Sequence, residues 1–234
     1  MIQLTIPARP GTAKARVLLT GVGGSIGEAS RSRLLGAGAE ILALTHLPGQ
    51  DGTQVDFCDD AALAASVEAM GPLDCVVLTH GLLEQGALAT VTPGTWRRLM
   101  DVNLNSIYTI IHAASVQMVA GGSIVVVSST AALDRSPGGG PHYTVSKWGL
   151  NGLVRHLSIE LGQRGIRING VMPCLVDNPM GRAFMTGEEY QSWVGQVPLG
   201  RAAEPDEIAK VVMFLLGDAA SYVTGANVPV TGGR

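Results

Sequence analysis

Val17-Leu18-Leu19-Thr20-Gly21-Val22-Gly23-Gly24-Ser25-Ile26-Gly27 carries a short apolar run through a glycine-rich turn into a segment of helical spacing, Ile26 to Ala37. Between a first strand and a first helix, such a turn lets backbone N–H groups and the helix N-terminus face a pyrophosphate, and a Cβ would block the close approach. Taken alone, the same turn is also compatible with a chain reversal that binds nothing.

The pattern repeats outward from this turn. Apolar runs at Ile41 to Leu44, Cys75 to Leu78, Ile124 to Val127 and Ile166 to Val171 are short and mostly unalternated, as strands buried on both faces are. Between them lie helical spacings at Asp60 to Ala69, Thr95 to Val119 and Tyr143 to Gln163, with a last one at Pro205 to Gly217. Thr92-Pro93 and Glu204-Pro205 put proline near a first helical turn, where its missing N–H does no harm. Strand and helix alternating from end to end predict right-handed crossovers and an α/β fold: a single doubly wound Rossmann-type domain, with a central parallel sheet and helices on both faces. The expected boundaries are an N-terminal extension over 1–14 and one domain over 15–234. The weakly periodic stretch from Val176 to Pro198 is read as a mobile segment over the site.

Composition narrows the function classes. Hydrophobic residues make up 46% of the 234 and charged residues 15%, enough to bury a large core. The formal charge of −3, without a Lys/Arg cluster, gives no electrostatic footprint for nucleic acid or an anionic membrane, and points to a small-molecule partner. No stretch is apolar enough to span a bilayer, and MIQLTIPARPG lacks the order of a secretory signal, so a cytoplasmic protein is expected. Cys58, Cys75 and Cys174 have no CxxC spacing and leave one unpaired; we read them as small buried apolar residues, with no disulfide framework and no metal site.

The chemistry gathers around Tyr143-Thr144-Val145-Ser146-Lys147. Residues four apart share one helix face, so the Tyr hydroxyl and the Lys ammonium can enter one cleft. A phenol with an ordinary pKa of about 10 is a poor acid-base catalyst near neutrality unless a nearby positive charge favours its phenolate. The segment follows a buried strand ending in Ser128-Ser129 and the turn Pro137-Gly138-Gly139-Gly140-Pro141.

In this setting TGVGGSIG resembles the TGxxxGxG turn, and YTVSK the YxxxK helix, of the short-chain dehydrogenase/reductase family. Gly21 and Gly27 match its first and third glycines, and Ser25 stands where the second is usual. The resemblance extends over nearly the whole chain after about Lys14, including PLGRAAEPDEIA and Ser221 to Gly225. It implies a catalytic quartet of Asn103, Ser129, Tyr143 and Lys147, with Ser128 and Thr130 as fallbacks for the serine. It implies coenzyme contacts from the turn residues Gly21, Gly24, Ser25, Ile26 and Gly27. Asp56 and Phe57 match the third-strand region beside the adenine, and Thr79, His80 and Gly81 stand where the family commonly has NNAG. His80 is open to two readings, cleft lining or internal structure. Pro173, Val176 and Asn178 fall on the loop that fixes the nicotinamide carboxamide, with Cys174 in place of a glycine. Asn103, Tyr143 and Lys147 are also expected at the coenzyme.

In NAD-preferring members an acid ends the second strand; here Thr45 and His46 stand there. That removes the barrier to a 2′-phosphate without supplying a cation, so the expectation is NADP(H), with NAD(H) as the alternative. The implied function is an NAD(P)(H)-dependent oxidoreductase interconverting a carbonyl and a secondary alcohol, with Tyr143 as acid/base. A 3-oxoacyl-thioester reductase and an alcohol, polyol or steroid dehydrogenase both fit. The alternative of another class is a cofactor-binding regulatory or structural relative with lost catalysis, motivated by the altered turn and the missing NNAG. Family habit and the apolar residues Ile107, Ile110, Ile111, Val116, Trp148, Leu150, Leu153, Val154 and Leu157 on two long helices imply a homo-oligomer, a tetramer or a dimer.

Overall fold

The computed structural model describes residues 6–9, 11–136, 138–183 and 185–234; Pro137 of the glycine-rich turn and much of the N-terminal extension lie outside them. Seven parallel strands form one sheet in the order β3-β2-β1-β4-β5-β6-β7. The strands are β1 (Arg16–Thr20), β2 (Glu40–Thr45), β3 (Thr53–Gln54), β4 (Leu73–Leu78), β5 (Met118–Val127), β6 (Arg167–Pro173) and β7 (Asn227–Val230). The helices are α1 (Ser25–Gly36), α2 (Asp60–Glu68), α3 (Pro93–Met100), α4 (Ser106–Gln117), α5 (Pro141–Gln163), α6 (Pro179–Ala183), α7 (Gly187–Val194) and α8 (Pro205–Leu216).

Two cores explain why the strands read as unbroken apolar runs. Leu18, Leu44, Val76, Leu78, Ile124, Val126 and Ile168 face α2, α4 and α5. Their neighbours Val17, Leu19, Ala43, Cys75, Val77, Val125, Val127 and Val171 face α1 and α8. Alternation is present in space, but both faces are dry, so it vanishes from the composition.

The single helix expected over Thr95 to Val119 is three pieces. α3 passes through a π-helical turn at Asp101–Asn105 into α4, and Met118 and Val119 already belong to β5, where Met118 pairs with Leu73. Met and Val accept either conformation, and strand pairing decides between them. The third-strand region read at Asp56 and Phe57 lies just past β3, a two-residue edge strand that ends at Gln54, and the other edge strand, β7, escaped the sequence reading because it is short. β7 also contains Pro229, which an edge strand tolerates. The stretch read as mobile contains α6 and α7, the latter opened by a capping box of Thr186 and Glu189.

The N-terminal extension is bound to the domain. Ile6 is buried against the α1 and α8 face, and the buried Asp74 carboxylate accepts from Arg9 N and Nε, both at 3.0 Å, and from Arg16 N at 2.7 Å. Asp74→Ala would leave these donors without their acceptor at the start of β1. We expect it to lower unfolding free energy by about 2–4 kcal/mol. Urea melts at neutral pH read this directly, and a loss below about 0.5 kcal/mol, the level of an ordinary surface substitution, would contradict the assignment.

Candidate active site

The carboxyl ends of β1 and β4 lie side by side where the strand order reverses, and the expected glycine turn leaves β1 there. Gly21 has φ +73°, and a Cβ on it would come within 2.5 Å of Thr79 Oγ1 and 2.7 Å of His80 N. A Cβ on Gly27 would overlap the Gly21 carbonyl, so α1 can approach β1 this closely only with glycine at that position. Ser25 opens α1 and its side chain is accommodated half-buried. The N-cap Gly24 provides no side-chain acceptor, which leaves first-turn N–H groups of α1 for an incoming anion. This cradle fits the diphosphate of a dinucleotide.

The Leu78-Thr79-His80-Gly81 segment is held by different side chains from those of the family pattern. Thr79 Oγ1 donates to Thr20 O at 2.7 Å, tying β4 to β1 beneath the turn. His80 is buried, with Nδ1 at 2.6 Å from Thr20 Oγ1 and Nε2 at 2.9 Å from Ser106 Oγ. Ser106 gives its own hydrogen to Val102 O, so the consistent tautomer donates from Nε2 and accepts at Nδ1. Burial, then the charges of Lys147 and His46, push the imidazole down to about 3. Of the two readings of His80, the structure supports the internal one: it is a neutral brace between β1 and α4.

At the end of β2 the Thr45 side chain is buried and turned into its own loop, accepting from Leu47 N at 3.0 Å and donating to Gln50 Oε1 at 3.1 Å. His46 is exposed and its ring meets Phe57 edge-on at 6.2 Å. Phe57 is a core residue, its ring tilted against His80 with centroids 4.3 Å apart, while the exposed Asp56 accepts from Cys58 N at 2.9 Å in a tight turn. Gln50 was not singled out in the sequence; nothing in its spacing signals that it returns to the turn.

The four catalytic candidates converge. Ser129 lies at the end of β5, accepts from Ala131 N at 3.1 Å, and its side chain hydrogen-bonds Tyr143. Ser128 instead points inward, donating to Lys147 O at 3.3 Å, so Ser129 is the serine that reaches the tyrosine. Lys147 Nζ lies 5.6 Å from the Tyr143 ring centroid and 3.4 Å from Val127 O. Asn103, fully buried within the π-helical turn, accepts from Leu82 N at 2.7 Å and donates to Leu82 O at 2.8 Å and Ser146 Oγ at 3.2 Å. A Cβ on Gly81 would lie 3.3 Å from Asn103 Oδ1 and 3.5 Å from Lys147 Nζ, so the glycine leaves space beside both buried groups.

The family model described as enoyl-(acyl carrier protein) reductase matches residues 37–234. The chain is 35% identical over 204 residues to trans-4-hydroxycyclohexanecarboxylate dehydrogenase of Sinomonas cyclohexanicum, covering 85% of this chain and 73% of that one. It is 35% identical over 201 residues to a 3-oxoacyl-[acyl-carrier-protein] reductase of Pseudomonas aeruginosa, covering 83% and 80%. Among solved structures, a blue fluorescent protein from a metagenomic library, in complex with NADPH, superposes with a TM-score of 0.88 at 31% identity, covering 94% and 97%. The chain belongs to the short-chain dehydrogenase/reductase family. As such it is an NAD(P)(H)-dependent oxidoreductase acting between carbonyl and alcohol.

The remaining loops of this dehydrogenase/reductase frame the site. Pro173 closes β6, Val176 is buried and bridges to Ala203, and the half-buried Asn178 accepts from Arg182 N at 3.1 Å through its backbone carbonyl. Of the cysteines only Cys75 is buried, its thiol pushed up to about 12 by desolvation; Cys174 is half-buried and Cys58 exposed, correcting the expectation that all three are core residues. His142 stands next to Tyr143 in the chain, fully buried, its Nε2 3.8 Å from Glu84 Oε2 and beyond hydrogen-bond reach. Among the described residues no helix is long and apolar enough to cross a membrane, and no three His, Cys, Asp or Glu cluster as metal ligands.

Electrostatics separate the roles of the pair. Burial pushes the Tyr143 phenol up, opposed by the hydrogen bond to Ser129, so it rests protonated and ready to donate. Burial pushes Lys147 down to about 8. The unfolded chain holds this proton up to 10.5 and the folded chain only to about 8, so the unfolded state binds more protons between these values and stability rises with pH there. Lys147→Met removes the buried amine. We expect turnover to be lost, unfolding free energy at pH 7 to rise by up to about 3 kcal/mol, and the rise between pH 8 and 10 to flatten. Urea melts at pH 7 and 10 test this; an unchanged pH dependence would refute it.

Proposed function

We propose that the chain reduces ketones, and oxidises the matching secondary alcohols, on substrates with an apolar body, with NADP(H) as its coenzyme. The observation that carries the reading is the hydrogen bond of Tyr143 to Ser129 beside the buried Lys147, an arrangement of donor, orienter and cation suited to an acid/base at a carbonyl oxygen. The nicotinamide, when bound, supplies or accepts the hydride. Ser129 holds the substrate oxygen against Tyr143, which delivers its proton in reduction and removes it in oxidation. Lys147 favours the phenolate that reduction leaves behind. Through Gly81 its ammonium also faces the hollow where a coenzyme ribose hydroxyl would lie. Asn103 clamps Leu82, and with it the chain after β4, while its Oδ1 faces the same hollow as Lys147; a proton-relay water belongs there.

The apolar-substrate reading rests on the surroundings of Tyr143. A Cβ on Gly139 would lie 2.9 Å from both Leu83 Cδ1 and Tyr143 Cδ1, and one on Gly138 would lie 4.0 Å from Met185 Cε. Leu83 therefore lies beside the tyrosine ring, and Met185 borders the glycine turn that precedes it. The two relatives whose names specify a cyclic hydroxy acid and an oxoacyl carrier substrate agree with such a wall. Tyr143→Phe keeps the packing and removes the proton donor; turnover should fall at least about a hundredfold with coenzyme affinity retained. Steady-state assays on cyclic ketones, a 3-oxoacyl thioester and an aldose, with coenzyme titration alongside, check both points. Near wild-type turnover in Tyr143→Phe would sink the assignment, and a preference for the aldose would sink the apolar reading.

Assembly belongs to the same proposal. Of the apolar residues expected to be surplus, Ile107, Ile110, Ile111, Leu150 and Val154 are buried within the subunit, and Leu153 and Leu157 pack partly against its core. Val116 and Trp148 do remain exposed, joined by Tyr108 and Ile159, and a groove between α4 and α5 is lined by Leu104, Tyr108, Gly149, Gly152 and Leu153. We infer that a second copy covers these helices, since large apolar side chains exposed on α4 and α5 favour burial. Light scattering during size-exclusion chromatography should give a multiple of 24.2 kDa, and a fully active particle at that single mass would rule the assembly out.

A further inference from the structure

We propose that Gln50 holds the substituent on the adenosine 2′ carbon of the coenzyme and tilts this site toward NADP(H); the inference rests on the nicotinamide-coenzyme reading above. Three observations place Gln50 there. β2 lies next to β1 in the sheet, so the loop that leaves its carboxyl end runs beside the glycine turn. That loop folds back on the turn itself. A Cβ on Gly23 would lie 2.5 Å from Gln50 Nε2, 2.8 Å from its Oε1 and 2.8 Å from Leu47 Cδ1, so the Gln50 amide rests directly on the backbone of residue 23 and would have to move for any side chain there. Finally, Thr45 orients the amide. Its oxygen accepts from Leu47 N and its hydroxyl donates to Gln50 Oε1 at 3.1 Å, which gives the one hydroxyl hydrogen an acceptor and directs the Nε2 hydrogens toward the turn.

The consequence is a reversal of polarity at the end of the second strand. A carboxylate there would accept from ribose hydroxyls and repel a phosphate; the Nε2 edge of Gln50 only donates. A donor gains more from a charged acceptor than from a neutral hydroxyl, so the group it rewards is the 2′-phosphate. The neighbouring acid, Asp51, is exposed and paired with Arg31 at 3.1 Å, which offsets its charge. Thr45, the residue at the position of the usual acid, then acts as the positioning residue for Gln50.

Gln50→Glu is the discriminating change, since it keeps an acceptor for Thr45 and replaces the donor edge with a carboxylate. Dissociation constants for NADPH, NADH, 2′,5′-ADP and 5′-ADP, measured by calorimetry on the full chain, read the contact without turnover. We expect Gln50→Glu to weaken NADPH and 2′,5′-ADP at least tenfold while NADH and 5′-ADP stay within threefold, and Gln50→Ala to weaken the phosphorylated ligands about fivefold. Thr45→Val should follow Gln50→Ala in direction. Equal changes for both members of each pair, or changes below twofold throughout, would overturn the role of Gln50. Wild-type protein that binds neither NADPH nor NADH would instead overturn the coenzyme reading on which it rests.

Discussion

The contact on which the site depends is the near-touching of Gly27 and the Gly21 carbonyl, with Thr79 closing the gap from β4. It joins three elements at one point: the end of β1, the first turn of α1 and the end of β4. Any side chain at Gly27 would force α1 away from the sheet. The N–H groups that α1 leaves uncapped would then no longer point over the carboxyl edge, and the anion cradle would open. Packing distance and ligand chemistry are therefore the same constraint here. That is why two glycines this close cannot be read as flexible spacers.

From that junction, buried hydrogen bonds lead toward the helix that carries Tyr143 and Lys147. His80 carries it from Thr20 on β1 to Ser106 at the start of α4, and Asn103, one π-helical turn earlier, fixes Leu82 and touches Ser146 on α5. Ser146 sits between Tyr143 and Lys147 and donates to Tyr143 O, so Asn103 ties the chain after β4 to that helix. The π-helical turn gives Asn103 a facing that a straight helix would not, and such irregular turns recur at functional sites. The family's NNAG is missing, yet its bracing is supplied by Thr79 and His80. That weakens the main argument for a catalytically silent relative.

Burial of Lys147 is the energetic counterpart of this arrangement. A lysine with its ammonium inside the protein and one long contact to Val127 O is poorly solvated, a cost the fold carries, and under the proposed function it puts a labile cation beside the phenol. The tyrosine, pushed the other way by the same burial, holds its proton more firmly, and the hydrogen bond to Ser129 opposes that rise.

The order of strands and helices was legible in the chain because each has its own period, and buried parallel strands reveal themselves as apolar runs. The glycine turn and the Tyr143–Lys147 pair were legible because close approach and helical facing restrict residue type at fixed spacing. Local pattern could not decide the end of α4, since Met118 and Val119 suit a helix as well as a strand and only pairing with β4 makes them β5. Nor could it choose between Ser128 and Ser129, which differ by which way an extended chain faces at the end of β5. The interior place of His80 and the return of Gln50 onto Gly23 lay further still from the linear text. Each joins residues from separate strands or loops, and a sequence carries period and composition but not the distance between chain segments that the sheet brings together.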